Sequence, residues 1–284
     1  MQKAVNSTGA ALKGSGGLSC FLPCSALRDL DINPSGVKED VMKKIVLILA
    51  LMFLASAAAH ATPSTQIWIP STDIQPYKKI HLGIDTYDRY MDKGDDGSGQ
   101  LRIINNGLTV GVLPGEKIQM EVGVDFRHSA YPYDRYPWYF NAKIGTPEGA
   151  LFAGSPAMAI GGYDFGTKKD LTDNNIVYAL VAKTFGKLGR FSAGYFVGND
   201  KVLLDASGNP DEAGVLLSWD RTMSEISDKL WFAADYQGTE SGYGALNVGF
   251  AWKFAPNVGV IFGYDFYNND AFDPTGTIQV DIDF

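Results

Sequence analysis

The chain has 284 residues, of which 45% are hydrophobic and 20% are charged, and its formal net charge is −8. This acidic balance argues against a nucleic-acid partner, because the phosphates would be repelled. Both cysteines, Cys20 and Cys24, lie near the N-terminus, so the remainder of the chain has neither a disulfide framework nor a thiolate metal site.

Residues 42–61 have the pattern of a secretory signal peptide. A pair of lysines precedes an apolar run, and a small-residue cleavage site ends at Ala61. We therefore expect export from the cytoplasm of a Gram-negative cell and cleavage after Ala61. Residues 1–41 have no periodic pattern, and we interpret them as an extension upstream of a true translation start at Met42.

Residues 62–77 are predicted to form a separate periplasmic segment. Pro63, Pro70 and Pro76 would each interrupt strand pairing, because proline lacks the N–H that a ladder needs. The apolar residues 67–69 provide a hydrophobic surface that favours burial against another part of the protein. Two alternatives follow, a plug or cap for a barrel and a disordered leader, and the sequence leaves both open.

Residues 78–284 alternate between apolar side chains and polar or small ones, which is typical of β-strands with two different faces. Connections are mostly long after odd-numbered strands and short after even-numbered ones, as in barrels that cross a membrane. The alternation predicts about twelve strands, at residues 78–88, 105–113, 118–127, 138–145, 157–165, 175–185, 190–198, 213–221, 230–237, 246–254, 258–266 and 277–284.

The predicted fold class is therefore all-β, a single transmembrane antiparallel up-and-down barrel over residues 78–284. A soluble β-sandwich is the main structural alternative, since its strands also alternate. Two features favour the barrel: the polar face is rich in small residues, as a confined lumen requires, and aromatic residues occur at strand ends, as membrane interfaces favour. These aromatic residues are Trp138, Phe185, Phe191, Trp219 and Phe254.

The last strand ends on an alternating apolar series, Ile278, Val280, Ile282 and Phe284. This series resembles the C-terminal signature of the bacterial outer-membrane β-barrel (porin-like) superfamily. The resemblance implies an outer-membrane location, contact with outer-membrane lipid, and recognition of these four residues by the barrel-insertion machinery.

The polar face of the predicted strands carries more acidic than basic residues. A buried charge is costly without a partner, so either water fills the lumen or charges pair across it. The acidic excess favours water, and with it a preference for cations. The predicted lumen and selectivity residues are Asp85, Glu121, Asp125, Asp220, Asp235, Asp265, Asp281 and Asp283, with His81, Arg127, Lys143 and Lys253 as basic groups.

The expected function is a narrow channel for small polar or cationic solutes, with no covalent chemistry, no cofactor and no metal. Two alternatives stay open: a closed structural or adhesion barrel with functional outer loops, and a lipid-modifying hydrolase that uses His81 or His128. Against the hydrolase, His128 and Ser129 would point opposite ways on a strand, and no G-x-S-x-G motif occurs. The acidic residues of 92–97 do not have the spacing of a calcium-binding loop.

Overall fold

The computed structural model describes residues 65–89, 102–129 and 132–284. The predicted N-terminal extension, the signal peptide and the acidic residues 92–97 lie outside this part of the chain. The described residues fold into a closed antiparallel barrel of twelve strands, which confirms the predicted fold class. No helix long and apolar enough to cross a bilayer occurs among them.

Every strand except the first and last pairs with the two strands next to it in the sequence, and β1 pairs with β12 to close the barrel. Two short 3-10 helices lie in the connections, at Tyr133–Arg135 and Gly186–Leu188. The strands are β1 (Ile80–Arg89), β2 (Arg102–Gly111), β3 (Gln119–His128), β4 (Trp138–Thr146), β5 (Ala157–Gly166), β6 (Asp173–Thr184), β7 (Arg190–Val197), β8 (Ala213–Thr222), β9 (Leu230–Gln237), β10 (Ala245–Ala255), β11 (Val258–Tyr267) and β12 (Thr275–Asp283).

The predicted strands correspond one to one with the observed strands, and their bounds differ by a few residues. The largest difference is β2, which begins at Arg102 rather than at residue 105. His128 was expected in a connection, but it is the last residue of β3, because the ladder with β2 continues to Ile104 opposite His128.

The two ends of the barrel can be told apart by the chain termini. Ile80, at the start of β1, and Phe284, just after β12, exchange backbone hydrogen bonds. We call this end of the barrel the terminal end. The opposite end is called the far end. At the terminal end the connection over residues 256–257 is short, whereas residues 198–212 form a long connection at the far end. The expected alternation fails after β4, where residues 147–156 form a longer connection than residues 167–172 after β5.

The outward face of the barrel is apolar. Phe140 and Ile160 are 51% and 62% exposed, and most other large exposed side chains on the strands are also apolar. A transmembrane barrel presents such a band to lipid, whereas a soluble sandwich would bury it. The inward face is polar, with Asp235 and Asp265 almost completely buried. The closed barrel with this polarity excludes the sandwich alternative.

Aromatic side chains mark both ends of the apolar band. Phe185, Phe191 and Phe254 are exposed at the terminal end, and the rings of Phe185 and Phe191 lie 6.0 Å apart. Trp138 and Phe126 are exposed at the far end, with their rings edge to face at 5.0 Å. Aromatic rings favour the two membrane–water interfaces, so these positions set the depth of the barrel in a bilayer.

Candidate functional site in the barrel lumen

Residues 65–76 lie inside the barrel, and we call them the plug. Followed back from the start of β1, the segment enters from the terminal end, and its first described residues form a tight turn in which the Gln66 N–H donates to the Ile69 carbonyl at 2.7 Å. Ile67 and Ile69 are 1% and 0% exposed. Of the two alternatives for this part of the chain, the structure has the segment packed within the lumen.

Apolar side chains of the plug occupy pockets in the wall. Ile69 packs into a cluster that includes Leu180, Phe196 and Leu216, on β6, β7 and β8. Ile67 packs against Ala233 and Ile261 on β9 and β11. These contacts remove both isoleucines from water, which stabilises the docked segment by about 2 kcal/mol each.

Two glycines provide the space that Ile67 occupies. A Cβ at Gly263 would lie 2.8 Å from Ile67 Cγ2, and a Cβ at Gly249 would lie 3.1 Å from Ile67 Cδ1. Both distances are shorter than an ordinary carbon–carbon contact. The lack of side chains at these positions is therefore needed for the plug to sit where it does.

The backbone of the plug is held by polar side chains of the wall. Asp235 Oδ2 accepts hydrogen bonds from the N–H groups of Ile67, at 2.7 Å, and Trp68, at 3.1 Å. Asp235 Oδ1 accepts from the Asn247 side-chain amide at 2.7 Å. The Gln279 side chain donates to the Ile67 carbonyl at 2.6 Å. Asp235 thus satisfies two backbone donors that the turn leaves without a partner.

Charged residues of the wall hold the rest of the plug. Arg190 pairs with Asp73 of the plug, at 2.7 Å, and with Asp220 of β8, at 2.9 Å. Nearer the terminal end, Glu121 accepts from the Gln75 N–H at 2.7 Å and pairs with Lys143 at 3.1 Å. The plug is therefore attached to charged groups on both sides of the lumen.

A cavity of about 360 Å³ remains between the plug and the wall formed by β1 to β5. Asp85 and Asp125 line it, and the Asn105 amide bridges them at 3.4 and 3.3 Å. The Asn141 amide donates to Asp125 at 2.8 Å. Within the described residues, neither carboxylate has a basic side chain at ion-pair distance.

An arginine–carboxylate pair joins β3 to β5 across the inner face of β4, near the far end of this cavity. Arg127 donates to both oxygens of Asp164, at 3.0 and 2.7 Å, and its guanidinium lies 4.3 Å from the centre of the Tyr139 ring. The Tyr243 hydroxyl, from the connection between β9 and β10, donates to Asp164 as well. Burial and the adjacent Asp164 carboxylate raise the pKa of Tyr243.

Asp164 is a lumen residue that the alternation places on the wrong face. Strand β5 has an irregular register between Tyr163 and Phe165, and Asp164 adopts a positive φ of 56°. A bulge of this kind adds a residue to one strand and turns its side chain out of phase. Both Tyr163 and Asp164 therefore face the lumen.

The two histidines take different positions. His81 is buried near the terminal end, with Nδ1 2.9 Å from Asp283 and Nε2 3.3 Å from Asp281. His128 is exposed, with Nδ1 3.5 Å from Asp134. Over the described part of the chain, neither ring has a serine or threonine hydroxyl at hydrogen-bond distance, and no cluster of three or more potential metal-ligating side chains occurs.

The predicted lumen residues all lie on inward-facing positions, but they belong to different surroundings. One group lines the cavity, and within it Glu121 and Lys143 also contact the plug. A second group contacts the plug without lining the cavity, and three residues do neither. Asp265 accepts from Thr275 at 2.7 Å, Asp283 lies 2.9 Å from His81, and Lys253 lies at the terminal end of β10. The cavity group is His81, Asp85, Glu121, Asp125, Arg127, Lys143 and Asp281, and the second group consists of Asp220 and Asp235.

The predicted assembly residues lie on β12 and at the C-terminus, on the opposite side of the wall from the lumen. Ile278 and Phe284 are exposed on the apolar face, in phase with Val280 and Ile282. They flank the seam between β12 and β1.

No protein-family model and no curated protein matches the chain. Among solved structures, the KdgM porin is similar over 72% of this chain and 98% of its own, with 8% identity and a TM-score of 0.46. An outer membrane channel from Pseudomonas putida F1 is similar over 75% and 97%, with 11% identity and a TM-score of 0.41. The Salmonella typhi outer membrane phospholipase is similar over 81% and 98%, with 14% identity and a TM-score of 0.43.

These structures include two channels and an enzyme, and likeness at this level carries no argument about function.

Proposed function

We propose that this protein is an outer-membrane channel with a narrow, acidic lumen for small polar or cationic solutes. The observation that carries the proposal is the cavity beside Asp85 and Asp125. Ionised carboxylates at a buried position need a cation or water. The cavity has room for roughly ten water molecules. Water next to these carboxylates is what a conducting path requires.

The charges around the cavity favour cations. His81, Arg127 and Lys143 each pair with a carboxylate, whereas Asp85 and Asp125 have no basic partner among the described residues. The ionised form of either carboxylate contributes a negative potential, which attracts cations and repels anions, and low-dielectric walls strengthen it.

The proposed location rests on three features of the chain. The apolar band with aromatic residues at both ends suits a bilayer. The signal peptide pattern supports export, and the series from Ile278 to Phe284 supports recognition by the barrel-insertion machinery. Strand β1 would then run outward from the periplasm, with the terminal end on the periplasmic side.

The test is planar-bilayer conductance of protein purified from outer membranes after expression of the full chain. We expect discrete steps and a reversal potential that shows cation preference in a KCl gradient. Changing Asp85→Asn and Asp125→Asn together should lower the permeability ratio of cation to anion, whereas the control Asp265→Asn should not, because Asp265 lies outside the cavity.

A closed structural barrel is the second candidate, and the plug is the observation that favours it. The same recordings separate the two, provided that they include a variant lacking residues 65–76. A folded, heat-modifiable barrel that never conducts, with or without these residues, would overturn the channel and leave the structural barrel.

A further inference from the structure

The plug is not a component of the sheet. The barrel closes through the ladder between β1 and β12, and each strand already has two neighbours. The bridge between Tyr77 and Gly111 lies at the entry point, just after the last residue of the plug. Removing the plug from the lumen would therefore leave the hydrogen-bond ladders of the barrel intact.

The wall behind the plug carries charged side chains beside its apolar pockets, and water can solvate these charges when the plug leaves. Five charged side chains contact the segment or flank it, and solvated charges are stable in an aqueous lumen. A permanently dry core would favour apolar groups instead, because buried charges need ideal partners. The five residues are Glu121, Lys143, Arg190, Asp220 and Asp235.

The plug is connected to β1 by a compact turn. Lys78 has a positive φ of 64°, its N–H donates to the Gly111 carbonyl at 2.8 Å, and the Lys79 N–H donates to the Pro76 carbonyl at 2.9 Å. A Cβ at Gly111 would lie 2.1 Å from the Pro76 carbonyl oxygen, so only glycine lets the chain pass. The turn fixes one end of the plug at the mouth of the barrel.

At its other end the plug contacts the carboxylate of Asp235, next to hydrogen bonds from Gln279 to the Ile67 carbonyl and from Gln66 to Asp220. Asp235 accepts from the N–H groups of Ile67 and Trp68 and lies 2% exposed beneath the turn. An ionised acceptor makes stronger hydrogen bonds than a neutral one. Its second oxygen is used by Asn247, which fixes the orientation of the carboxylate.

We propose that the plug is a displaceable gate and that the Asp235 carboxylate is its latch. Release at Asp235 lets residues 65–76 swing about the turn at Lys78 while the barrel stays closed and folded. Water then solvates the charged wall, and the lumen widens. The latch itself is independent of what the lumen passes, whereas the role of the gate rests on the proposed channel function.

The first test measures how often the plug leaves the lumen. Thr72 is buried, and its hydroxyl makes no hydrogen bond in the described part of the chain, so Thr72→Cys is a mild change. It is made in the full chain with Cys20→Ser and Cys24→Ser, so that it supplies the only thiol. The rate of its reaction with a water-soluble maleimide, in detergent-solubilised folded barrel, reports exposure of the segment.

Asp235→Asn should increase this labelling rate at least tenfold. The amide keeps the shape of the carboxylate but brings an NH2 group against either the plug N–H groups or the Asn247 amide, so one donor faces another. Asp265→Asn is the matched control, because Asp265 is an equally buried lumen carboxylate that bonds to Thr275. Equal rates in both variants and the parent would overturn the proposal.

A second measurement covers the case in which Asp235→Asn does not fold. Ile67→Cys combined with Gly263→Cys should form a disulfide, since Ile67 Cγ2 lies 2.8 Å from the Cβ position of Gly263. In an otherwise cysteine-free chain, oxidation should lock the plug and suppress conductance, and reduction should restore it. Conductance that is the same when oxidised and reduced would overturn the gate.

The two readouts also separate the gate from the channel. Faster labelling in Asp235→Asn without conductance in any variant would support the latch and overturn the channel. Conductance that persists at full amplitude while labelling stays slow would support the channel and overturn the gate.

Discussion

The two halves of the lumen wall have the same strand architecture and the same alternation, but different contents. The half formed by β6 to β11 presents apolar or small side chains, such as Leu216, Ala233 and Gly263, beside charged groups that bind the plug, and peptide fills the space in front of it. The half formed by β1 to β5 presents Asp85, Asp125 and their partners, and a cavity lies in front of it.

The difference shows that the side chains on the inner face of the barrel determine whether peptide or water occupies the space in front of them. Hydration of an apolar pocket is unfavourable, so such a pocket favours a peptide that brings apolar side chains. Removal of water from a carboxylate without a basic partner is also unfavourable, so such a carboxylate favours a water-filled space. The first three predictions below each alter one half and leave the other unchanged, and all four are given from the largest expected effect to the smallest.

Truncation of Ile69 should weaken docking of the plug against β6 to β11. Ile69→Ala deletes a completely buried side chain and should cost about 3 kcal/mol. If the plug docks independently, this cost appears as an increase of about a hundredfold in the released fraction, measured by labelling of Thr72→Cys. Ile84→Ala, on the lipid face, is the control and should leave labelling unchanged. Lower barrel stability with unchanged labelling would show that plug and barrel are one cooperative unit.

Removing a charge should disturb the cavity half. Arg127→Met leaves Asp164 buried without its bidentate partner, and water in the cavity offsets part of the loss, so we expect about 2 kcal/mol. The measurement is urea unfolding in lipid vesicles. Lys201→Met breaks an exposed pair with Asp200 and should change stability by less than about 0.5 kcal/mol. Equal effects of the two changes would mean that Arg127 is not a structural cross-link.

An added methyl group in the Ile67 pocket tests whether the shape of this pocket determines docking of the plug. Gly263→Ala places a Cβ 2.8 Å from Ile67 Cγ2 and equally close to Thr277 Cγ2 in the wall, and it should weaken docking by about 1 kcal/mol, or roughly fivefold in Thr72→Cys labelling. Gly259→Ala is the matched control on the same inward face of β11, because a Cβ there meets no atom within 4 Å. If both alanines accelerate labelling equally, the effect belongs to β11 rather than to the pocket.

The smallest effect concerns the connection between β4 and β5, which lies outside both halves of the lumen wall. Glu148 pairs with Lys183 at 2.8 Å, and hydrogen bonds from Lys183 and Thr184 lower its pKa. A lowered pKa in the folded state adds stability above the ordinary pKa of glutamate, which is lost as the pH falls through the folded value. The pair is partly exposed, so the gain is about 0.5 kcal/mol. Unfolding midpoints of the parent and Glu148→Gln should differ at pH 7 and converge near pH 3.

The sequence predicts the wall better than what lies inside it. Alternation is a local property, so all twelve strands could be assigned from neighbouring residues, even β5, where small residues give little contrast. Asp164 was not predicted as a lumen residue because a bulge shifts the inward–outward alternation of β5, and no local sequence pattern indicates this bulge. The plug could be suspected from residues 67–69, but its location depends on contacts with Asp235 and Gln279, far away in the sequence.

The compact turn at Lys78 makes the plug a tethered ligand of its own barrel. A segment on a short tether meets its site at an effective concentration in the millimolar range. A detached peptide with the sequence of residues 65–76 would have to reach about that concentration to compete. Rebinding therefore needs no partner and no diffusion from outside, and the fraction of time that the plug spends undocked depends on the strength of its contacts with the wall, among them those of Asp235 and the two isoleucines.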